Sequence, residues 1–462
     1  MEFVKRDYTA VGVMSGTSVD GLDLALCRFT RVEQPPGAGS SSNNNVRWSF
    51  EILKARSLSY SGTDWPERLA GAETADGYTL SGVHRDFGRF TGEAVRAFLA
   101  EPSSDNTPGQ LPKPDLIASH GHTIFHRPEK GITLQIGDGA EIAAVTGITT
   151  VSDFRRLDVA LGGQGAPLVP IGDELLFGHY GYCLNLGGFA NVSFRESGKR
   201  IAFDICPVNI VLNRLARLLG MEYDKDGAKA ASGVVDRQLL AALEGLDFYR
   251  MEGPRSLGKE WVDEVFMPVV DASGASVEDK LRTVCEHVAL RIAAVISAKP
   301  GHDEIIDEER HGPDAGATDQ AAGQDGPDAG ATNQAAGQDG PDAGATGHAH
   351  EENRLSRGRD EPAGGPVAYR GHEEFLAAGH GTESGGSLLI TGGGAKNAFL
   401  AGLIAEKASP VYTVIPDEKL VDFKEAVVFA FLGVLRMRNE VNCLAAVTGA
   451  GRDSSGGIVH LA

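Results

Sequence analysis

Residues 11–26 constrain the fold of this chain more than any other stretch. They have the sequence Val-Gly-Val-Met-Ser-Gly-Thr-Ser-Val-Asp-Gly-Leu-Asp-Leu-Ala-Leu, which predicts two strands joined by a tight polar turn. A turn so rich in small residues lets backbone N–H groups approach an anion, while hydroxyls and a carboxylate supply further ligands for a phosphate or its metal ion. The sequence therefore predicts a nucleotide-phosphate turn, with an ordinary hairpin as the alternative.

Two further glycine turns follow later in the chain. Residues 183–194 again predict strand, turn and strand, with Gly187 and Gly188 at the bend and Asn191 beside it. Residues 387–397 predict a strand that runs into three consecutive glycines, 392–394, and then a helix. Glycines in that position allow close contact with the base or ribose of a nucleotide.

The remaining pattern is that of an α/β protein. Strands are predicted near 8–15, 22–30, 47–56 and 115–121, with a helix near 84–101, which together form the core of a ribonuclease-H-like unit. Helices near 277–298, 398–408 and 418–438 and a strand near 411–415 complete a second α/β lobe. We expect lobe I over 1–138, lobe II over 139–438, and a C-terminal helix within 439–462 that crosses back onto lobe I.

The net charge of −20 is concentrated in one segment. Residues 301–387 hold 18 acidic residues and five arginines, and they repeat Gly-Pro-Asp-Ala-Gly-Ala-Thr from Gly312, Gly326 and Gly340. This composition buries too little apolar surface to offset the ordering of the backbone, so we expect a disordered acidic insertion within lobe II. A metal-binding tract around His348 and His350 is the alternative.

Several partner classes are not indicated. No run approaches the roughly 18 apolar residues of a membrane span, and the N-terminus lacks the apolar stretch of a signal peptide. The five cysteines are scattered and suggest neither a disulfide framework nor a zinc site. We expect a cytoplasmic protein that binds neither nucleic acid nor membranes, with a homodimer left open.

Polar residues are densest between 119 and 170. His120, His122 and His126 suggest a metal site, but no carboxylate stands at a spacing that would complete a zinc set, so a polar pocket wall is the preferred interpretation. Arg155 and Arg156 have the chemistry to clamp a carboxylate or phosphate, with surface ion pairs as the alternative.

A single carboxylate draws attention in the second half of the chain. Asp204 lies in the apolar run 201–209, near the end of a predicted strand that leads into a helix. Open α/β sheets hold their ligands at such edges, and an acid within an apolar strand needs an explanation. Asp204 is therefore predicted to be functional.

In this order the motifs closely resemble the anhydro-N-acetylmuramic acid kinase family, within the hexokinase, heat-shock-70 and actin ATPase architecture. The resemblance covers nearly the whole chain apart from the insertion. It rests on residues 12–23, 119–126, 133–138, 153–156, 162–170, 185–191, 391–394, 424–426 and 447–450.

The resemblance implies an actin-like ATPase architecture in which two ribonuclease-H-like lobes enclose a cleft for ATP and sugar. It also implies ATP with Mg²⁺ and a small 1,6-anhydro sugar as the partners. Such kinases open the anhydro bridge with water and phosphorylate the freed O6, which gives N-acetylmuramate 6-phosphate in cell-wall sugar recycling.

The resemblance also assigns roles to individual residues. Asp204 matches the catalytic aspartate, the general base. The sugar would be bound by His120, Arg155, Asn209 and Glu425. ATP would be bound by Gly16, Thr17, Ser18, Val19, Asp20, Gly21, Leu22, Asp23, Gly187, Gly188, Asn191, Gly392, Gly393 and Gly394. Mg²⁺ would enter with ATP, with Asp20 as its one candidate ligand.

One motif departs from the family. Where many members have Asp-Thr-Gly-Pro-Gly-Asn, this chain has Asp204-Ile-Cys-Pro-Val-Asn209, so we expect a different or more restricted path after the base. The alternatives are a kinase for 1,6-anhydroglucose, a catalytically silent ATP-binding regulator, and an acidic scaffold that acts through the repeats.

Overall fold

The computed structural model describes residues 4–16, 21–33, 46–102, 111–251, 255–298 and 386–462. The insertion expected over 301–387 lies outside the described residues except for its last two, and Ser387 already begins a strand. Four residues of the first turn, Thr17, Ser18, Val19 and Asp20, also lie outside them.

Thirteen strands are described. In chain order they are β1 Val4–Ser15, β2 Gly21–Glu33, β3 Val46–Ser59, β4 Leu116–Ser119, β5 His122–Arg127, β6 Ile132–Ile136, β7 Thr150–Ser152, β8 Tyr182–Leu186, β9 Phe189–Glu196, β10 Lys199–Pro207, β11 Ser387–Thr391, β12 Tyr412–Val414 and β13 Ile458–His460.

The two larger sheets share one plan. The first has the order β13-β7-β4-β1-β2-β3, and the second has the order β10-β9-β8-β11-β12. In the first, β1, β2 and β3 are antiparallel while β4 is parallel to β1. In the second, β8, β9 and β10 are antiparallel while β11 is parallel to β8. Because the strand order repeats, the expectation of two ribonuclease-H-like α/β units is confirmed.

The described helices follow the predicted order. They are Trp65–Ala72, Gly77–Ala100, Gly139–Thr146, Arg156–Ala160, Pro170–Leu175, Asn209–Leu218, Ala228–Ser232, Arg237–Glu244, Lys259–Trp261, Met267–Ala272, Val277–Ala298, Ala398–Lys407, Glu418–Met437 and Ala445–Thr448, with a π-helical turn at Val262–Phe266 and 3-10 turns at Pro128–Lys130, Lys225–Gly227, Asp247–Arg250 and Gly393–Lys396. Side chains of Asp76, Asn397 and Asp417 cap three of them. None of these helices combines the length and apolarity that a membrane span needs.

The first sheet extends beyond the lobe boundary that we expected at residue 138. Strand β7 pairs with β4, and the C-terminal strand β13 pairs with β7. The helix expected within 439–462 is reduced to Ala445–Thr448, since the segment after it is rich in glycine, which disfavours helix, and ends in β-branched Ile458 and Val459.

The helix Glu418–Met437 packs against the first sheet and also touches the second. Gly12 makes this approach possible, because a Cβ there would lie 1.8 Å from the Ala426 carbonyl oxygen. Gly433 does the same against β4, where a Cβ would lie 2.7 Å from Ala118 Cβ. Backbone contact without intervening side chains therefore holds Glu425 close to β1.

Candidate active site

A cavity of about 760 Å³ lies between elements of the two sheets, a volume typical of small-ligand sites. Four predicted site residues line it, namely Arg155, Asn191, Asp204 and Glu425. The other described predicted residues do not line it: Gly16, Gly21, Leu22, Asp23, His120, Gly187, Gly188, Asn209, Gly392, Gly393 and Gly394. The structure thus brings the expected base together with the arginine and glutamate expected to bind sugar.

Asp204 belongs to a row of polar residues that crosses the second sheet. It pairs with Asn191 on β9, which in turn pairs with Asn185 on β8. Asn185 then pairs with Thr391 on β11. Paired residues on neighbouring strands share a face, so the row is continuous. Asn185 also lines the cavity and was not among the predicted site residues; its position opposite Asn191 across the bend was the available signal.

The Asp204 carboxylate is held from one side. The Leu257 backbone N–H donates to Oδ2 at 2.8 Å, and the Asp204 N–H donates to the Arg255 carbonyl at 2.9 Å. Burial raises the pKa of Asp204, while the Leu257 amide opposes that rise. A raised pKa makes the ionised carboxylate a better proton acceptor, which suits a general base.

The residues that replace the family's usual loop point into the core. A bulge interrupts the pairing of β10 between Asp204 and Cys206. Ile205, Cys206 and Val208 are each 1% exposed or less and belong to the core of the second sheet. None of them lines the cavity. The bulkier groups are therefore accommodated in the core and do not fill the space in front of Asp204.

Arg155 is oriented by a neutral histidine. Its Nε donates to His120 Nε2 at 3.0 Å and its Nη1 donates to the Gly165 carbonyl at 2.7 Å. Because Nε2 accepts, the His120 proton lies on Nδ1, which donates to the Gly121 carbonyl at 2.8 Å. Burial and the Arg155 charge hold the pKa of His120 well below its usual value, and burial lowers the pKa of Arg155 to about 10. His120 thus supports Arg155 and does not reach the cavity.

The other two histidines have separate partners. His122 Nδ1 lies 3.0 Å from the Ser15 hydroxyl, while His126 Nδ1 lies 3.2 Å from the Thr133 hydroxyl. Only His126 lines the cavity. The polar pocket wall predicted from the three histidines therefore reduces to one of them.

Glu425 faces both arginine and carboxylate charge. Burial raises its pKa, Arg155 and Lys424 lower it, and Asp23 raises it further. Asp23 is paired with Met14, a cavity residue, at the end of the first turn. The charge of Asp23 on β2 therefore reaches Glu425 on the helix Glu418–Met437.

A buried ion pair beside Glu425 was not predicted. Lys424 Nζ lies 2.7 Å from Asp173 Oδ1, and the Ser193 hydroxyl donates to Asp173 Oδ2 at 2.6 Å. All three residues line the cavity. A lysine two positions before the apolar run 426–435 was the signal, and it does not identify a partner 251 positions earlier in the chain.

The glycine triplet 392–394 lies against the end of β8, next to the bend at Gly187 and Gly188. Gly392 has a φ of +82°, and a Cβ there would lie 2.4 Å from Asn185 Oδ1. A Cβ on Gly394 would lie 2.7 Å from Leu186 Cβ, and Asn209 Nδ2 donates to the Leu186 carbonyl at 3.4 Å. Asn209 thus stands at the glycine triplet, away from the cavity.

The bend between β8 and β9 is open. A Cβ on Gly187 or Gly188 would meet no atom closer than 3.7 Å. Flat, open glycine turns at the edge of a sheet fit the phosphates and the sugar of a nucleotide. The bend at Gly187 and Gly188 therefore leaves space for such a ligand.

Arg255 and Gln164 also line the cavity and were not predicted. Arg255 is placed by two hydrogen bonds with the backbone of Asp204, and no periodic pattern surrounds it in the sequence. Gln164 is fixed by its backbone, whose N–H donates to the Thr448 carbonyl at 2.8 Å. Both positions depend on contacts between distant parts of the chain.

Comparisons with known proteins identify the family of the chain. The family model described as anhydro-N-acetylmuramic acid kinase matches residues 8–306. A protein of that name from Pseudomonas putida is 41% identical over 267 residues, which is 55% of this chain and 67% of that protein. Another from Pseudomonas syringae is 36% identical over 312 residues, 65% of this chain and 79% of that protein.

A third relative of the same name, from Methylorubrum extorquens, is 35% identical over 319 residues, 63% of this chain and 78% of that protein. Among solved structures, the activator of the 2-hydroxyisocaproyl-CoA dehydratase from Clostridium difficile covers 93% of this chain and 97% of its own at 10% identity, with a TM-score of 0.33, too low to add to the strand-order argument. The match to the family model over most of its length shows that this chain belongs to the anhydro-N-acetylmuramic acid kinase family.

Proposed function

We propose that this chain uses ATP to phosphorylate O6 of 1,6-anhydro-N-acetylmuramic acid while water opens the anhydro bridge, giving N-acetylmuramate 6-phosphate. Its family membership makes it a sugar kinase, and the relatives reported above carry that substrate in their names. The observation that carries the proposal is the cavity that unites Asp204, Arg155 and Glu425.

Asp204 has the properties of the base. It accepts a proton from water as the water oxygen bonds to the anomeric carbon and the bond from that carbon to O6 breaks. The Leu257 N–H donates to one oxygen of the half-buried carboxylate. The orientation of the carboxylate is therefore set before substrate arrives.

Arg155 and Glu425 line the same cavity as Asp204. Arg155 is held by His120 and Gly165, so its guanidinium has a defined direction toward the sugar. Glu425 has a raised pKa that keeps it a better hydrogen-bond partner for a sugar hydroxyl. We assign both to sugar binding and orientation.

ATP with Mg²⁺ supplies the phosphoryl group and neutralises its charge when bound. Gly16, Gly21, Leu22 and Asp23 flank the turn that would hold its phosphates, with Asp20 as the candidate metal ligand. Gly187, Gly188, Asn191 and the triplet 392–394 would hold the rest of the nucleotide. The open bend at Gly187 and Gly188 supports this assignment.

The alternatives from the sequence are less well supported. No described residue that lines the cavity favours a neutral 1,6-anhydroglucose over the muramic sugar. A silent ATP-binding regulator has no need for an oriented carboxylate with a raised pKa. Asp204 is such a carboxylate. We also infer a cytoplasmic location, where ATP is available and the five buried free cysteines would stay reduced. Cell fractionation tests that location, and light scattering tests the homodimer.

Product analysis in labelled water tests the reaction. We expect one ¹⁸O atom at C1 of the sugar phosphate and none in the phosphate group. A phosphorylated product whose anhydro ring is intact, or label in the phosphate, would contradict the proposal. Anhydroglucose assayed beside the muramic sugar separates the two substrates.

A further inference from the structure

Among the described residues, one lysine and two arginines line the cavity. They differ in the groups that balance their positive charges. Lys424 is paired with Asp173 at 2.7 Å. The charge of Arg155 acts on Glu425. Among the described residues, the groups whose charges act on Arg255 are Tyr249, Arg291 and Cys206, and none of these is a carboxylate.

The two acidic groups near Arg255 do not supply a counter-charge. Burial raises the pKa of Cys206 and of Tyr249, so both are neutral at physiological pH. Arg291 adds a second positive charge, and its own partner is Glu244 at 2.7 Å. Arg255 is therefore a half-buried cation without a described anionic partner, and burial lowers its pKa accordingly.

The Arg255 side chain is nevertheless held in place. Its guanidinium carbon lies 5.4 Å from the Phe203 ring centre and 5.0 Å from that of Phe248. Nε donates to the Asp204 carbonyl at 3.3 Å and Nη1 donates to the Met251 carbonyl at 2.9 Å. A guanidinium has five N–H bonds, so three remain for a ligand.

A fixed, half-buried guanidinium with free N–H donors favours a carboxylate, which it can bind through two parallel hydrogen bonds. The lactyl group of the muramic sugar carries such a carboxylate. We propose that Arg255 is the subsite for the carboxylate of the sugar and determines specificity for acidic over neutral anhydro sugars, an inference that rests on the proposed function.

The position of this subsite gives it a second consequence. Arg255 contacts the backbone of Asp204 directly, so an anion on Arg255 lies at a fixed offset from the base. Binding energy from the lactyl carboxylate would then orient the anomeric carbon toward Asp204. A neutral sugar lacks that anchor.

The test compares two sugars and two substitutions. The sugars are 1,6-anhydro-N-acetylmuramic acid and its lactyl amide, which is neutral and nearly the same size. Arg255→Gln and Arg255→Lys are compared with wild type, and Arg217→Gln, at an exposed helix position, is the matched control. Binding is measured by calorimetry and turnover by ADP release, and thermal melting checks that each variant folds.

We expect Arg255→Gln to weaken binding of the acid by about 10-fold to 100-fold, the range for a lost hydrogen-bonded charge. Binding of the amide should change by less than about 2-fold, and Arg255→Lys should restore part of the affinity for the acid. Arg217→Gln should leave all values unchanged.

Equal losses of affinity for the acid and the amide would overturn the inference. A rise in KM for ATP with the sugar constants unchanged would also overturn it, because Arg255 would then bind a phosphate of ATP. A wild-type protein that binds both sugars but transfers no phosphate would contradict the proposed function and leave the Arg255 comparison decisive. A wild-type protein that binds neither sugar would overturn both.

Discussion

Lys424 and Asp173 form an ion pair of 2.7 Å with side chains that are 5% and 6% exposed. The pair joins the helix Glu418–Met437, which carries Glu425, to the short helix Pro170–Leu175. Ser193 adds a strand of the second sheet to the same cluster. The cluster therefore fixes one wall of the cavity.

Breaking this pair should destabilise the protein. Lys424→Met leaves the Asp173 carboxylate buried without its counter-charge, so we expect the free energy of unfolding to fall by about 3 to 5 kcal/mol. The double substitution Lys424→Met with Asp173→Leu should recover most of the loss. Denaturant unfolding measures each value. Lys396→Met is the control, because its pair with Asp422 is 49% and 36% exposed and should be worth less than about 1 kcal/mol. A similar loss at both lysines would contradict this prediction.

Gly12→Ala should harm both stability and turnover. The new Cβ would lie 1.8 Å from the Ala426 carbonyl oxygen, so the helix that carries Glu425 must move. We expect a loss of about 3 kcal/mol in unfolding free energy and a lower kcat. Gly82→Ala is the matched control, since its Cβ meets no atom within 4 Å in a helix and should be neutral or stabilising. An unchanged Gly12→Ala protein would show that the close approach is not required.

Asp204→Asn should lower kcat by about 100-fold to 10,000-fold and leave ATP binding intact. In the wild type, activity should fall as the pH falls through the pKa of Asp204, because the base must be ionised. Burial raises that pKa, so the midpoint should lie above about 3.9, the usual value for an aspartate.

Glu425 also has a raised pKa, so a second variant separates the two carboxylates. If Asp204 is the base, the residual activity of Glu425→Gln should still fall as the pH falls through the pKa of Asp204. Asp247→Asn, whose side chain is 94% exposed, serves as the control and should behave as wild type. Substantial turnover by Asp204→Asn would remove Asp204 from the role of base.

Stability should decrease toward acidic pH. Burial keeps the pKa of His120 well below its usual value in the folded state, while the unfolded chain takes up a proton near pH 6.5. Below that pH the unfolded state binds more protons, so the unfolding free energy falls by up to about 1.4 kcal/mol per pH unit for this group. His120→Gln keeps an acceptor for Arg155 and should reduce the slope between about pH 5 and 6.5. A slope identical to wild type would contradict the assignment.

Removal of residues 301–385 should leave kinase activity within about 2-fold of wild type. The helix Val277–Ala298 ends before the interval and β11 begins at Ser387 after it, and the described residues on either side already supply Arg155, Asp204 and Glu425 to the cavity. A flexible linker of about ten residues would replace it at little entropic cost. Loss of activity with normal thermal melting would instead support a role for the acidic repeats.

Local patterns predicted much of the fold. The helix Val277–Ala298 and the strand Ser387–Thr391 have the expected starts, because apolar spacing and glycine turns are local signals. Asp204 was also found from its neighbours alone, as an acid in an apolar strand. Its role as base stays a prediction.

Contacts between distant segments could not be predicted. Asp173 meets Lys424 only after the helix Glu418–Met437 packs against the rest of the chain, and β13 joins the first sheet from the C-terminal end. His120 was expected at the sugar, but its ring is used by Arg155. The sequence shows the type of each side chain, while its partner depends on tertiary packing.

The bulge in β10 separates two demands on one strand. Asp204 lies before it and keeps its pairing with Asn191, whereas Cys206 lies after it and pairs with Ala190 in the core. Strand alternation would otherwise tie the orientation of one to that of the other. Ile205 and Cys206 can therefore pack into the core of the second sheet while the Asp204 carboxylate keeps its place at the cavity.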